Sequence, residues 1–399
     1  MDFAFSRRSA TSRTLRVLVA PDAFKGTLAA DEAARAMAEG VLAAAPDAEV
    51  LTLPMADGGE GTLRAFVVAS TADPSADAVE LVPVETVDAL GRPCTARWGR
   101  AGRVAVVELA EASGLPGVTD RPFDPVHAST EGTGVLVRAA LDAGSREILL
   151  GLGGSASVDG GAGVLRALGV RIIDRRGAEV PPGGAGLLRA SELDLDALDA
   201  RASAARWRLA VDVTNPLAGP QGAARVFGPQ KGATPQDVVL LDEALGRWAD
   251  VLEGATGVRV HDLAGAGAAG GVPAGLVAVL GAEIEPGAEL VADALGIPGA
   301  MELADLVLTG EGRIDESSLQ GKVVGTLAAL ASRTADPPPV VVLTGRVGLP
   351  LTDAVAGGVT HVVELEPSHG STVDELRART PGLLREQSEV LVREILRRP

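Results

Sequence analysis

The chain has 399 residues, 46% apolar and 22% charged, with a formal net charge of −17. That length and composition imply a large soluble core spread over two or three domains, and the acidic balance speaks against nucleic acid or an anionic membrane as partner. Cys94 is the only cysteine, so an intramolecular disulfide and a Cys-based zinc site are excluded, and His127, His261, His361 and His369 have no metal-ligand spacing.

The first fourteen residues carry Arg7, Arg8 and Arg13 among Ser and Thr but no apolar stretch, so they read as a disordered tail rather than a secretory signal, and a reducing, cytoplasmic setting fits. Arg16–Ala20 is a short apolar run typical of a buried strand, and it opens into Asp22-Ala23-Phe24-Lys25-Gly26-Thr27. Apolar residues at helical spacing follow through Ala34, Met37, Val41 and Leu42, Pro46 stops them, and Val50–Leu53 reads as a second strand. This βαβ unit exits through Ala56-Asp57-Gly58-Gly59-Glu60-Gly61-Thr62, and residues 70–78 read as a linker.

Beyond it the pattern changes. Val79–Val87 and Val104–Leu109 alternate as antiparallel or mixed strands do, and a helix is predicted from about Thr133 to Ala143. Ile148–Leu150 leads into Gly151–Gly163, where six glycines separate a strand from a helix through Val164, Leu165 and Leu168. Such a turn aims backbone N–H groups at an anion, although tight packing uses glycine equally well. A Pro/Gly loop covers 177–186, and a strand at Leu209–Val213 delivers Asp212-Val213-Thr214-Asn215-Pro216-Leu217. The run through Phe227-Gly228-Pro229-Gln230-Lys231-Gly232-Ala233 reads as a long loop without secondary structure. Leu263–Ala282 is uncharged for twenty residues but holds six glycines and Pro273, which rules it out as a membrane span.

From about residue 287 a βα rhythm returns, with strands at Ala304–Leu308, Val340–Thr344 and Thr360–Glu364. The first leads to Thr309-Gly310-Glu311-Gly312-Arg313-Ile314-Asp315. Thr372 and Glu375 form a capping box, and an amphipathic helix is predicted after Pro381 through Leu384, Val390, Leu391 and Ile395. Both chain ends thus read as parallel α/β and the middle as an insertion. Ligands of such sheets sit outside the carboxyl ends of the strands.

A Walker A motif is absent, since Gly321-Lys322 is followed by Val323. Gly265–Gly270 matches a dinucleotide fingerprint after a candidate strand at Val258–Val260, but lacks the βαβ context, so a dehydrogenase is disfavoured. Against 33 arginines the chain keeps three lysines, Lys25, Lys231 and Lys322, each beside a glycine, and one asparagine, Asn215. A compact ammonium touches a phosphate oxygen as a point charge in a way a guanidinium does not. Asp22, Asp57, Glu60, Asp159, Asp212, Glu311 and Asp315 add carboxylates in Gly-rich loops, and with the lysines and Arg313 they supply what phosphoryl transfer needs. Any one of these acids could equally cap a loop. His127, His361 and the three tryptophans read as structural.

Taken together and in order, these loops resemble the bacterial type I glycerate kinase family. The resemblance rests on Asp22–Thr27, Ala56–Thr62, Gly151–Gly163, Asp212–Leu217, Phe227–Ala233, Gly310–Asp315 and Gly321-Lys322, and covers nearly the whole chain from about residue 16. It implies ATP- and Mg2+-dependent phosphorylation of D-glycerate, in many members to 2-phosphoglycerate. It also implies a two-domain α/β fold: a Rossmann-like, flavodoxin-like parallel domain from residues 15–78 and 287–399, a mixed α/β insertion at 79–286, and an active site in the cleft between them. On residues and resemblance together, Lys25, Asp57, Asp159, Asp212 and Lys231 are expected to be catalytic. Asp22, Gly58, Gly59, Glu60, Gly153, Gly154, Ser155, Asn215, Glu311, Arg313, Asp315 and Lys322 are expected to bind substrate and phosphate. Mg2+ is expected at Asp57, Asp159, Asp212 or Asp315. The partner is a small molecule, and the protein is expected to be a monomer or homodimer. Alternatives are transfer to the 3-hydroxyl, another small hydroxy acid as substrate, or a non-catalytic binding protein. The chain departs from the family in Ser157-Val158 where Thr-Asn is usual, in Ser317-Ser318 where Gln-Thr is usual, and in Ala218 where Cys is frequent; the lost amides are expected to alter ligand contacts.

Overall fold

The computed structural model describes residues 14–72, 78–365 and 372–397. Residues 1–13 of the expected tail, 73–77 of the expected linker, and His369 lie outside the described residues. In chain order the strands are β1 (Arg16–Val19), β2 (Glu49–Thr52), β3 (Glu80–Val87), β4 (Pro93–Ala101), β5 (Val104–Glu108), β6 (Glu147–Gly151), β7 (Arg171–Asp174) and β8 (Ala190–Asp194). They continue with β9 (Arg206–Ala210), β10 (Glu283–Glu285), β11 (Leu306–Glu311), β12 (Val340–Thr344) and β13 (His361–Glu364). The described residues divide into two compact units. The first takes its residues from Met1–Asp57, Arg64–Ala76 and Ala288–Pro399, the second from Gly58–Leu63 and Asp77–Gly287.

The first unit is built on a parallel sheet of order β13-β12-β11-β1-β2. Its two chain ends meet where β1 pairs β11, Val17 opposite Leu306 and Val19 opposite Leu308. β12, Val-Val-Val-Leu-Thr, is buried throughout, as a parallel strand covered on both faces must be. Met37 and Val41 of helix Ala30–Ala44, with Leu384, Leu391 and Val392 of helix Val373–Arg397, cover Val17, Val19, Leu308 and Leu343. On the opposite face Val324 and Ala328 of helix Val323–Arg333 pack on Val342. Gly40 lets the two helices of the first face touch, since a Cβ there would stand 2.1 Å from the Arg385 carbonyl oxygen.

Two expectations are corrected here. The last helix starts at Val373 behind the Thr372–Glu375 box and runs through Pro381. Proline removes one N–H but leaves the rest of the ladder and its buried stripe, Thr380, Leu384, Ser388 and Leu391, in place. β11 also extends beyond Leu308, because Thr309, Gly310 and Glu311 pair with Val342, Leu343 and Thr344 of β12.

The second unit has a mixed sheet of order β10-β9-β6-β5-β4-β3, antiparallel at β3/β4 and β4/β5 and parallel elsewhere, with β7 and β8 as a separate antiparallel pair. Helix Glu131–Asp142 is close to its expected span. β9 ends at Ala210, so Val211–Val213 are loop rather than strand, and the run before Lys231 contains a helix at Ala223–Phe227 and a 3-10 turn at Pro229–Lys231 rather than coil. Val258–Val260 is not a strand, which removes the dinucleotide fingerprint. The tryptophans are structural: Trp98, Trp207 and Trp248 are fully buried, and the indole N–H groups of the last two donate to the Ala202 and Gly160 carbonyls. Segment Gly58–Leu63 belongs to this unit because Gly58, at φ +85°, lies on Ala210; a Cβ on Gly58 would be 2.3 Å from that of Ala210.

Candidate active site

In the first unit the chain leaves β1 toward the helix on one face of the sheet and leaves β11 toward the helix on the other. The carboxyl ends of this strand pair are therefore a topological switch point, where such sheets take ligands. Backbone bonds carry the pairing past the strands: Ala20 N–H donates to the Leu308 carbonyl and Asp22 N–H to the Gly310 carbonyl, each at 2.8 Å. Asp22 comes to lie beside Glu311. Burial first and the Asp57 charge second push the Asp22 carboxyl up to about 6, against the Ala23 N–H and the charges of Lys25 and Lys322. Burial likewise pushes Glu311 up to about 7, with Asp22 and Asp315 adding to it and the Ser318 hydroxyl and Lys322 opposing. Glu311 Oε1 is buried with no hydrogen-bond partner among the described residues.

Lys25 is exposed and reaches within 4.0 Å of the Asp57 carboxylate. Arg313 stands 4.0 Å from Asp315, and Asp315 Oδ1 accepts from the Ser317 amide and hydroxyl at 3.0 and 2.7 Å, which holds its carboxyl below the usual range. Lys322 occupies the N-cap position of helix Val323–Arg333. The loops of this unit thus gather Asp22, Lys25, Asp57, Glu311, Arg313, Asp315 and Lys322. Asp57 close enough to raise Asp22, Asp22 in turn close enough to raise Glu311, and an orphaned carboxylate oxygen on Glu311 suit a hard divalent cation. No group of three metal-binding side chains occurs among the described residues, so such a cation would complete its shell with water or phosphate oxygens.

The second unit is organised differently. Gly58 and Gly59 pass directly over the end of β6: a Cβ on Gly151 would lie 2.7 Å from the Gly58 carbonyl oxygen, and one on Gly153 would lie 2.4 Å from Gly59 Cα. Glu108, at the end of β5, holds this strap by accepting the N–H groups of Leu63 and Gly61, and burial pushes its carboxyl up to about 7. Sequence reasoning passed over Glu108, although a lone carboxylate ending the apolar strand Val-Ala-Val-Val-Glu was a signal. Glu60 is felt as a charge at Glu108. Asp159 is fully buried; its Oδ2 accepts the Thr130 amide and hydroxyl and the Gly163 amide at 2.8, 2.9 and 3.1 Å, and Oδ1 accepts the Gly161 amide. Lys231 is 2% exposed, and its Nζ donates to Ser155 Oγ at 2.6 Å and to the Ser157 carbonyl at 2.7 Å. Asn215 Nδ2 donates to the Gln221 carbonyl, closing its own loop, and Asp212 Oδ1 accepts the Gly287 amide.

Residues 17–396 match the family model described as the Glycerate kinase family. The chain belongs to the glycerate kinase family. It is 42% identical over 349 residues, 87% of this chain and 88% of the relative, to the Glycerate 2-kinase of Escherichia coli (strain K12). To the Glycerate kinase of Bacillus subtilis (strain 168) it is 39% identical over 371 residues, 92% of this chain and 91% of that protein. A crystal structure from Salmonella typhimurium LT2, assigned provisionally as glycerate kinase 2, superposes with a TM-score of 0.85 at 40% identity, covering 96% of this chain and 99% of that one. The resemblance carried by the loops therefore holds, the fold class is the two-part α/β fold it implied, and the chain is an enzyme of the kinase class.

Within this member of the family several site expectations need correction. Asp159 spends both oxygens on backbone and hydroxyl donors and anchors the turn into helix Ala162–Ala167, which takes it out of the candidates for base or metal ligand. Asp315 gives one oxygen, Oδ1, to its own loop and keeps Oδ2 beside Arg313, and Asn215 Nδ2 braces its loop. Val158 is fully buried in the core, so the missing amide there falls at a packing position, while Ser317 serves the Asp315 cap. Most glycines of the 151–163 run serve close packing. Gly160, for example, leaves no room for a Cβ, which would stand 2.4 Å from the Trp248 ring; Gly153 is half-buried against Gly59, and only Gly154 of the run is exposed. Among the described residues no helix is long and apolar enough to cross a membrane.

Proposed function

We propose that this glycerate kinase transfers the γ-phosphoryl group of ATP to the 2-hydroxyl of D-glycerate, giving 2-phosphoglycerate and ADP. The observation that carries the reading is the set of unspent charges at the β1/β11 edge: Asp22, Asp57 and Glu311 with Lys25, Lys322 and Arg313. Its support from outside the chain is the 42% identity to a protein named for the 2-kinase activity. Phosphoryl transfer requires little covalent chemistry from the protein; positioning and electrostatic stabilisation carry it. Asp22 and Asp57 are the residues that would hold Mg2+, which when bound neutralises charge on the phosphate oxygens. Lys25 and Lys322 add point charges toward the same oxygens, and the exposed Lys25 side chain is free to swing from Asp57 onto a phosphate. Asp212, whose Oδ1 accepts the Gly287 amide, is the candidate acceptor of the hydroxyl proton.

The test is ADP release by the purified protein with Mg-ATP and D-glycerate, with the product identified by phosphorus NMR. A 2-phospho signal is expected. A 3-phospho signal would overturn the regiochemistry, turnover restricted to another hydroxy acid would overturn the substrate, and a folded protein without turnover on any of them would return it to a binding role.

A further inference from the structure

Lys231 is the most deeply buried cation of the second unit, and the acceptors it meets, the Ser155 hydroxyl and the Ser157 carbonyl, are both neutral. Asp159 is the one titratable group whose charge acts on it, and both oxygens of that carboxylate are already committed to four donors. A buried ammonium without a counter-ion is costly, so an anion from outside would stabilise it. The Gly153-Gly154 turn supplies the place. Gly154 is exposed with φ +71°, and among the described residues the N–H groups of Gly153 and Gly154 meet no protein acceptor. Successive free amides on such a turn form an anion-binding concavity. The turn is held from behind, since Leu115 N–H donates to the Gly154 carbonyl and Ala156 N–H to the Ser113 carbonyl. Ser155 links turn and lysine: having accepted the ammonium proton at Oγ, its hydroxyl keeps its own hydrogen to donate onward.

We propose that an anionic oxygen, of a carboxylate or a phosphoryl group, binds at the Gly153 and Gly154 amides, and that Lys231 supplies its counter-charge through the Ser155 hydroxyl. The proposal rests on the kinase reading only for the identity of that anion. One consequence is proton-linked binding. Burial pushes the free Lys231 ammonium down to about 7, opposed by the Asp159 charge alone, and a bound anion raises it again. Above pH 7 binding therefore takes up a proton, and affinity falls by up to tenfold per pH unit until the bound-state value is passed. Below pH 6 uptake vanishes, because the lysine is already charged.

The experiment is isothermal titration of the whole protein at pH 8 and pH 6, in buffers of different ionisation enthalpy, with D-glycerate and, separately, with inorganic phosphate. Uptake approaching one proton at pH 8 and none at pH 6 is expected for at least one of them. Uptake with D-glycerate assigns the nest to a carboxylate, and uptake with phosphate alone assigns it to a phosphoryl group. Binding without uptake for every anion that binds, or no binding of both, overturns the proposal. Uptake with phosphate in a protein that neither binds nor phosphorylates D-glycerate would sink the substrate reading and leave the nest standing. Lys231→Met should make the affinity for D-glycerate independent of pH between 6 and 9 and leave only phosphate's own titration in the phosphate series. Should that variant fail to fold, Ser155→Ala, which leaves the lysine in place, should weaken anion binding roughly tenfold; unchanged affinity would overturn the relay.

Discussion

The two loop clusters use the same residue types to opposite ends. At the β1/β11 edge of the first unit, acids and lysines keep unspent capacity: Glu311 has an oxygen without a partner and Lys25 is largely exposed. At the β6/β9 edge of the second, Asp159 and Lys231 are buried and hydrogen-bonded to their own loops, and the outward surface is backbone. The contrast teaches that a charged residue in a Gly-rich loop is assigned by where its polar atoms are spent. Residue type and spacing leave that open.

The contrast can be broken experimentally. Asp22→Asn should lower kcat by about 10³-fold while the melting temperature holds or rises, because it removes one of two like charges; assay and thermal melt of one preparation check both. Glu108→Ala should act on the fold instead, leaving two strap amides unpaired at a cost of about 1–3 kcal/mol, read from denaturant unfolding. In pH series, turnover should fall as pH drops through 7 and then 6, as Glu311 and Asp22 protonate. Stability should move the other way. Both carboxyls titrate higher in the native than in the unfolded chain, so between about pH 4.5 and 7 the native state binds more protons, and melting temperature should rise as pH falls through that window. Glu311→Gln should flatten both trends. Lys25→Arg, at an exposed position, should cost roughly tenfold in kcat/KM with unchanged stability, since a fork replaces a point charge; equal turnover would remove the lysine from the chemistry.

Much of the fold was legible because its signals are local. β12 was readable as an unbroken apolar run between a proline cluster and Gly345, and the Thr372–Glu375 box marked a helix start. What was hidden depends on distant partners. The extension of β11 to Glu311 is fixed by β12, and Pro381 sits inside a helix because the buried stripe on either side outweighs one lost bond. In the site, the charges of the first unit were legible as an unusual gathering of acids and lysines in loops after strands. The burial of Lys231 was not, since its neighbours Ser155 and Ser157 lie 76 and 74 residues away in sequence. Glu108 went unread because its partners, the backbone amides of a strap 45 residues earlier, carry no residue signature.

The most direct test measures turnover and melting temperature on Asp57→Asn and Asp159→Asn side by side. The account predicts that Asp57→Asn loses turnover by about 10²–10⁴-fold and melts like the wild type. It predicts that Asp159→Asn is destabilised by about 2–4 kcal/mol, with turnover retained in whatever fraction stays folded. An Asp159→Asn protein that melts normally but is as inactive as Asp57→Asn would contradict the assignment of spent and unspent acids.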